Sequence, residues 1–153
     1  ATAMETAGIQ PTALTEKLTF ELDRTQYTVY PPARSSYPNN EDNEYSLIVG
    51  ITHGENRFLF AGDALTERLR EFTALDEGKY DFLKVSNHGD YFEGVEAFSQ
   101  AVSPTYAVIT CSDKNPADAR TVAALEAVGA RVYLTRNGSV KVTSDGQTIS
   151  VLQ

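Results

Sequence analysis

Three short apolar runs, residues 57–61, 80–85 and 106–110, are each followed by a stretch whose apolar residues recur at helical spacing. After the first come Leu65, Leu69 and Phe72, which predict a short helix over residues 66–72. After the second come Phe92, Val95, Phe98 and Val102, a helix over 92–102 closed by Ser103-Pro104. After the third, a helix opens near Pro116 and runs to Val128, with Gly129 as its left-handed stop. Strands this short and this apolar need cover, and a helix with one apolar stripe needs a surface to lie on. A sheet with helices packed against it satisfies both demands.

The flanks complete the element order. Leu18, Phe20 and Leu22 alternate with Thr19 and Glu21, which predicts a strand of period two, and Asp23-Arg24-Thr25 turns the chain into a return strand over 26–30. Pro31-Pro32 ends that strand, because proline cannot donate to a ladder. Residues 33–44, rich in Asn and acids, read as an exposed loop. Residues 46–52 form a hairpin with 57–61 through His53-Gly54-Glu55-Asn56. The end of the chain reads as a meander: strands over 131–135, 139–143 and 148–152, separated by Asn137-Gly138 and Asp145-Gly146. The predicted fold is α+β: a mixed sheet with about three helices on one face. Residues 1–16 show no sustained period and read as a poorly ordered leader or linker; residues 17–153 form a single domain.

Composition bounds the function. With 13 Lys and Arg against 21 Asp and Glu, the net charge is −8, which argues against a long nucleic-acid footprint on this domain. No apolar run approaches the roughly 20 residues that span a bilayer. No signal peptide is visible in residues 1–15, and the Ala-Thr-Ala start suggests a processed or excised chain. Cys111, the one cysteine, excludes an internal disulfide and reads as a small buried hydrophobe at a strand end. It leaves the compartment, cytoplasmic or extracytoplasmic in a bacterium, open.

Two strand ends carry the candidate chemistry. Phe58-Leu59-Phe60-Ala61 runs into Gly62-Asp63, and Asp81-Phe82-Leu83-Lys84-Val85 runs into Ser86-Asn87-His88-Gly89-Asp90. A carboxylate or imidazole at a strand end is held where a rigid element gives way to a loop. Asp63 has a plainer reading as the N-cap of the helix that follows. His88, before Gly89 in a polar loop, suits a neutral imidazole presented to a cleft, with Asn87, Asp90 and Asp113 as groups to orient it. His53 is expected in solvent, at the far end of its hairpin from Asp63.

The pair in its setting resembles the C-terminal half of the metallo-β-lactamase fold, and within it the hydrolase-like domain of the DNA-uptake competence protein ComEC and its stand-alone relatives. The matching stretches are residues 27–32, 43–49, 58–63, 83–89, 102–109 and 129–135 with Asn137-Gly138, in consistent order over about residues 17–145. The resemblance implies half of an αββα sandwich. It also implies a binuclear centre, usually zinc and alternatively manganese. In it Asp63 would be the bridging carboxylate and His88 the late histidine, and a metal-activated water would be the nucleophile of a hydrolase, of phosphodiester type.

The departures matter as much. The family's His-x-His-x-Asp-His motif is absent, Asn87 stands where His-His-Gly is usual, and Lys114-Asn115-Pro116 offers no late His-Pro. Two ligands fall short of the three or four a zinc site needs, so this chain alone is expected to bind metal weakly or not at all and to be inactive. Three accounts remain open at this level. The chain is the C-terminal part of a metal-dependent hydrolase whose other half supplies the missing ligands. Alternatively it is an inactive scaffold or binding domain with a degenerate site, or an unrelated interaction domain in which Asp63 caps a helix and His88 is structural. Half of a sandwich leaves one sheet face bare, which predicts pairing with the missing half or self-association through that face.

Overall fold

The computed structural model describes residues 3–38 and 41–153. Seven strands form one mixed sheet in the order of the chain: β1 (Leu18–Leu22), β2 (Thr25–Tyr30), β3 (Ile48–His53), β4 (Asn56–Phe60), β5 (Phe82–Lys84), β6 (Tyr106–Ile109) and β7 (Arg131–Leu134). β1 to β4 pair antiparallel and β4 to β7 pair parallel. The parallel strands are joined by helices: α2 (Thr66–Ala74), α3 (Val95–Val102) and α4 (Ala119–Ala127). Each crossover steps one strand further in the same direction, so crossovers of one hand deposit all three helices on one face. The expected α+β layering is therefore present.

The core lies between that face and the helices. Leu59, Leu83, Ala107 and Ile109 from the sheet meet Leu69, Phe72, Val95, Phe98, Val102 and Leu125 from the helices, all at most 4% exposed. Side chains one residue out of phase point the other way. The strand registers line them up as Leu18, Val29, Val49, Phe60, Lys84, Val108 and Tyr133, beside Phe20, Tyr27, Ile51, Phe58, Phe82, Tyr106 and Arg131. No helix of the three covers these rows. The face is nonetheless partly closed: Phe82 and Val108 are buried, the Asn56 side chain donates to Ser144 Oγ and Thr148 O, Phe20 stacks on Tyr27 at 5.2 Å, and Phe58 and Phe60 each lie 5.7 Å from Phe82. Leu18, Phe20 and Phe60 remain more than a third exposed.

Local differences from the sequence reading have physical causes. The leader contains one helical turn, α1 (Ala3–Thr6). α3 starts three residues later than its apolar spacing suggested, because Gly94 at φ 99° cannot join a helix. α4 starts at Ala119, where the Asp118 carboxylate accepts the Arg120 N–H at 2.8 Å. The final meander divides: β8 (Lys141–Ser144) and β9 (Ile149–Leu152) pair only with each other. The chain turns out of the sheet at Thr135, whose hydroxyl bonds both the Cys111 N–H and the Cys111 carbonyl at 2.9 Å. His53 is not free in solvent. It is the last residue of β3 and half-buried, its Nδ1 3.0 Å from Ser144 Oγ of β8.

α2 is anchored by an unusual pair. Arg68 is 1% exposed, and its guanidinium donates to Tyr30 O at 2.7 Å and Ser46 O at 3.1 Å. Those carbonyls belong to the ends of β2 and to the approach to β3. A buried cation survives only when its donors are satisfied in this way. Glu44, on a 3-10 turn over Asp42–Tyr45, accepts the backbone N–H groups of Glu67 and Arg68 at 3.1 and 2.8 Å.

Candidate functional site

β4 ends at Phe60, the buried Ala61 follows, and the chain then turns at Gly62 with φ 58°. A Cβ there would lie 3.3 Å from Leu47 O and from Ser46 Cβ, so the turn needs glycine for conformation and for space. Asp63 comes next, before Ala64 returns to the core. It does not cap α2. The cap position is Leu65, which makes no side-chain bond to the helix, and the free N–H groups of the first turn go to Glu44. The helix-cap reading of Asp63 is therefore overturned. Its carboxylate is left available, with its side chain 44% exposed.

One strand over, β5 leads into a 3-10 turn over Ser86–Gly89. This turn is stitched to the Gly62 loop. The Asn87 N–H donates to Gly62 O at 3.2 Å, Lys84 Nζ donates to the same oxygen at 3.0 Å, and the buried Ser86 hydroxyl donates to Ala64 O. Within the turn Asn87 (φ 40°, ψ 50°) and His88 (φ 55°, ψ 17°) are both left-handed, and Gly89 follows at φ 80°. Left-handed conformations cost side-chain-bearing residues about 1–2 kcal/mol each and persist where surrounding structure imposes them. Gly89 is strained by any side chain, since at φ 80° its Cβ would lie 2.7 Å from Ile109 Cγ2 and force that side chain or the turn to shift.

These contacts bring the two singled-out side chains together. His88 Nε2 lies 3.8 Å from Asp63 Oδ1, and Lys84 Nζ lies 3.6 Å from the same oxygen. The other ring nitrogen, Nδ1, is 2.8 Å from the Thr110 carbonyl and 3.1 Å from its hydroxyl. A carbonyl can only accept, so Nδ1 carries the hydrogen. In the neutral ring, Nε2 then turns a lone pair toward the Asp63 carboxylate. Two acceptors converging at this distance favour a cation or a shared proton between them. Lys84 is mostly buried, and that burial pushes its pKa down, against the pull of Asp63.

Sequence reading missed Thr110. Its place was expected for Asn87, Asp90 or Asp113, but the ring is held from the end of β6. The only signal for it was that β6 ends there; nothing local shows that β6 lies beside β5. Cys111 is half-buried against the core, as a small apolar side chain would be.

Among the described residues no group of three or more His, Cys, Asp or Glu side chains could hold a metal ion. Asp63 and His88 give two donors, with an ammonium beside one of them, against the three or four that hold zinc. The residues present do not by themselves fit the binuclear centre that the resemblance implies. No protein-family model and no curated protein matches the chain.

Proposed function

We propose that the chain is the C-terminal half of a metal-dependent hydrolase domain of the metallo-β-lactamase type, acting on phosphodiesters and incomplete as an active site on its own. The observation that carries the proposal is the juxtaposition of Asp63 and His88 on neighbouring strand ends, with His88 locked by Thr110 so that its free nitrogen faces the carboxylate. The part of the non-helix face that stays open supports it, since a second layer there would bury Leu18, Phe20 and Phe60, while Phe82 and Val108 on the same face are already buried. In a centre completed by ligands from elsewhere, Asp63 and His88 would be two of the residues that hold zinc or manganese, and the chemistry such a metal would supply is activation of water. The residues of this chain contribute two donors and the frame that orients them.

One observation favours a second reading, a binding domain with a degenerate site. Lys84 already places a cation against the Asp63 carboxylate. The experiment is hydrolysis of bis(p-nitrophenyl) phosphate by the longest native form of the protein, with zinc or manganese, beside Asp63→Ala and His88→Ala. The hydrolase reading expects both variants to lose activity by at least the roughly 10–100-fold that loss of a ligand's outer-shell partner costs. A parent that is inactive with either metal, and whose melting temperature ignores a chelator, sinks it in favour of the binding domain. Among the described residues no helix is long and apolar enough to cross a membrane.

A further inference from the structure

β1 is an open sheet edge. All five of its residues are exposed, and among the described residues no strand lies on its outer side. The opposite edge is partly closed, because Gln153 Nε2 donates to Leu134 O of β7. Proteins usually blunt an edge with proline, a bulge or a lysine in the strand. Leu18-Thr19-Phe20-Glu21-Leu22 has no proline, bulge or lysine, Glu21 is its one charge, and its five-residue register against β2 is unbroken.

The hairpin shows which groups of that edge are free. Asp23 and Arg24 both have positive φ, 48° and 62°, and join Leu22 directly to Thr25, a two-residue turn of the type I′ kind. The residues flanking such a turn form a hydrogen-bonded pair, and bonded pairs then alternate along the ladder. Leu22, Phe20 and Leu18 therefore spend their backbone groups on β2. The N–H and C=O groups of Thr19 and Glu21 point outward.

We propose that this edge pairs antiparallel with β1 of a second copy, about a two-fold axis at Phe20. Only pairings that oppose outward-facing residues can form bonds, which leaves three registers near the strand centre. Centring on Glu21 sets the two glutamates against each other and Leu18 against Arg24. Centring on Thr19 sets Leu22 against Glu16. Centring on Phe20 sets Phe20 against Phe20, Leu18 against Leu22, and Thr19 against Glu21, so every apolar residue of the strand meets an apolar partner and no like charges face each other. The pairing joins the two apolar faces into one continuous sheet surface. It is an edge contact well below the roughly 1,200 Å² of a standard stable interface, so the dimer forms weakly and with concentration. The inference does not use the metal reading and stands or falls apart from it.

The test is cross-linking in a Cys111→Ser background, oxidised glutathione taking the two electrons and two protons as the disulfide forms. Phe20→Cys puts the two thiols in a non-bonded pair with Cα atoms about 4.5 Å apart, within disulfide reach. Leu22→Cys puts its thiols roughly 13 Å apart along the strand and serves as the control. The expected result is a disulfide dimer from Phe20→Cys at least about ten times faster than from Leu22→Cys. Sedimentation of the unmodified protein should also give a mass that climbs toward the dimer between low and several hundred micromolar. Thr19→Pro removes an outward N–H, leaves the bonds to β2, and should return the protein to a monomer with little change in melting temperature. A monomer at every concentration overturns the proposal. So do equal rates for the two cysteine variants, or a dimer that Phe60→Lys on the open face dissolves and Thr19→Pro does not.

Discussion

Glu44→Ala tests the claim that a residue more than twenty positions upstream, rather than Asp63, holds the start of α2. Glu44 is 6% exposed, and its two oxygens accept the Glu67 and Arg68 N–H groups at 3.1 and 2.8 Å. Losing an N-cap costs about 0.5–2 kcal/mol, and a hydrogen bond to a charged group is worth about 1.5–3 kcal/mol. The variant also removes a negative charge from a helix N-terminus and from the neighbourhood of the buried Arg68. Taken together, and allowing for water reaching the exposed N–H groups, the loss is about 3 kcal/mol. For a chain of this size that lowers the melting temperature by about 6–12 °C. Glu44→Gln keeps an acceptor oxygen without the charge and should lose about half as much. Asp63→Ala breaks half-exposed contacts with Lys84 and His88, together worth about 1 kcal/mol or less. Calorimetry or circular dichroism on the three variants decides the matter. If Asp63→Ala destabilises more than Glu44→Ala, the helix start has been assigned to the wrong acid, and the case that Asp63 is free for chemistry collapses with it.

Three further outcomes follow from the same geometry. Gly89→Ala combines a left-handed φ with a Cβ 2.7 Å from Ile109, so denaturant titration should show a loss of about 2–5 kcal/mol; a loss below about 1 kcal/mol would mean the turn can relax. Tyr37 donates to Glu71 at 2.7 Å, and burial followed by that bond raises its pKa to about 12. Because the folded value is the higher one, this stabilisation is complete below pH 10 and disappears as pH rises from 10 to 12. Tyr37→Phe should therefore flatten the alkaline fall in melting temperature, and an unchanged slope would contradict the assignment. Lys84 has the opposite sign: burial lowers its folded pKa, so its charged form costs stability until high pH removes the proton. Lys84→Met should stabilise the protein at pH 7, and a variant less stable than the parent there would show that its bonds to Gly62 and Asp63 outweigh its desolvation.

The strands and helices were legible because each rests on a local pattern: a short mostly apolar or alternating run between turns, or an apolar residue at every third or fourth place. The places where pattern misled are places where a contact overrode it. Residues 92–94 have helical apolar spacing, yet Gly94 at φ 99° delays the helix. Residues 141–152 have strand patterning, yet Thr135 turns the chain away before they can join the sheet. Asp63 sits one turn ahead of a helix, where an aspartate is the favoured cap, yet a buried glutamate from another loop has taken the N–H groups.

By itself the sequence determined the order of elements and the placing of Asp63 and His88 at strand ends. Burial and periodicity act over a few residues, so they can be read along the chain. Only the tertiary structure decided what surrounds those two side chains. β4, β5 and β6 lie side by side, so Thr110 reaches the His88 ring across 22 positions and Lys84 reaches Gly62 across the same number. Those partners come from sheet order and from a left-handed path through Asn87 and His88. Neither leaves a mark on the residues nearby.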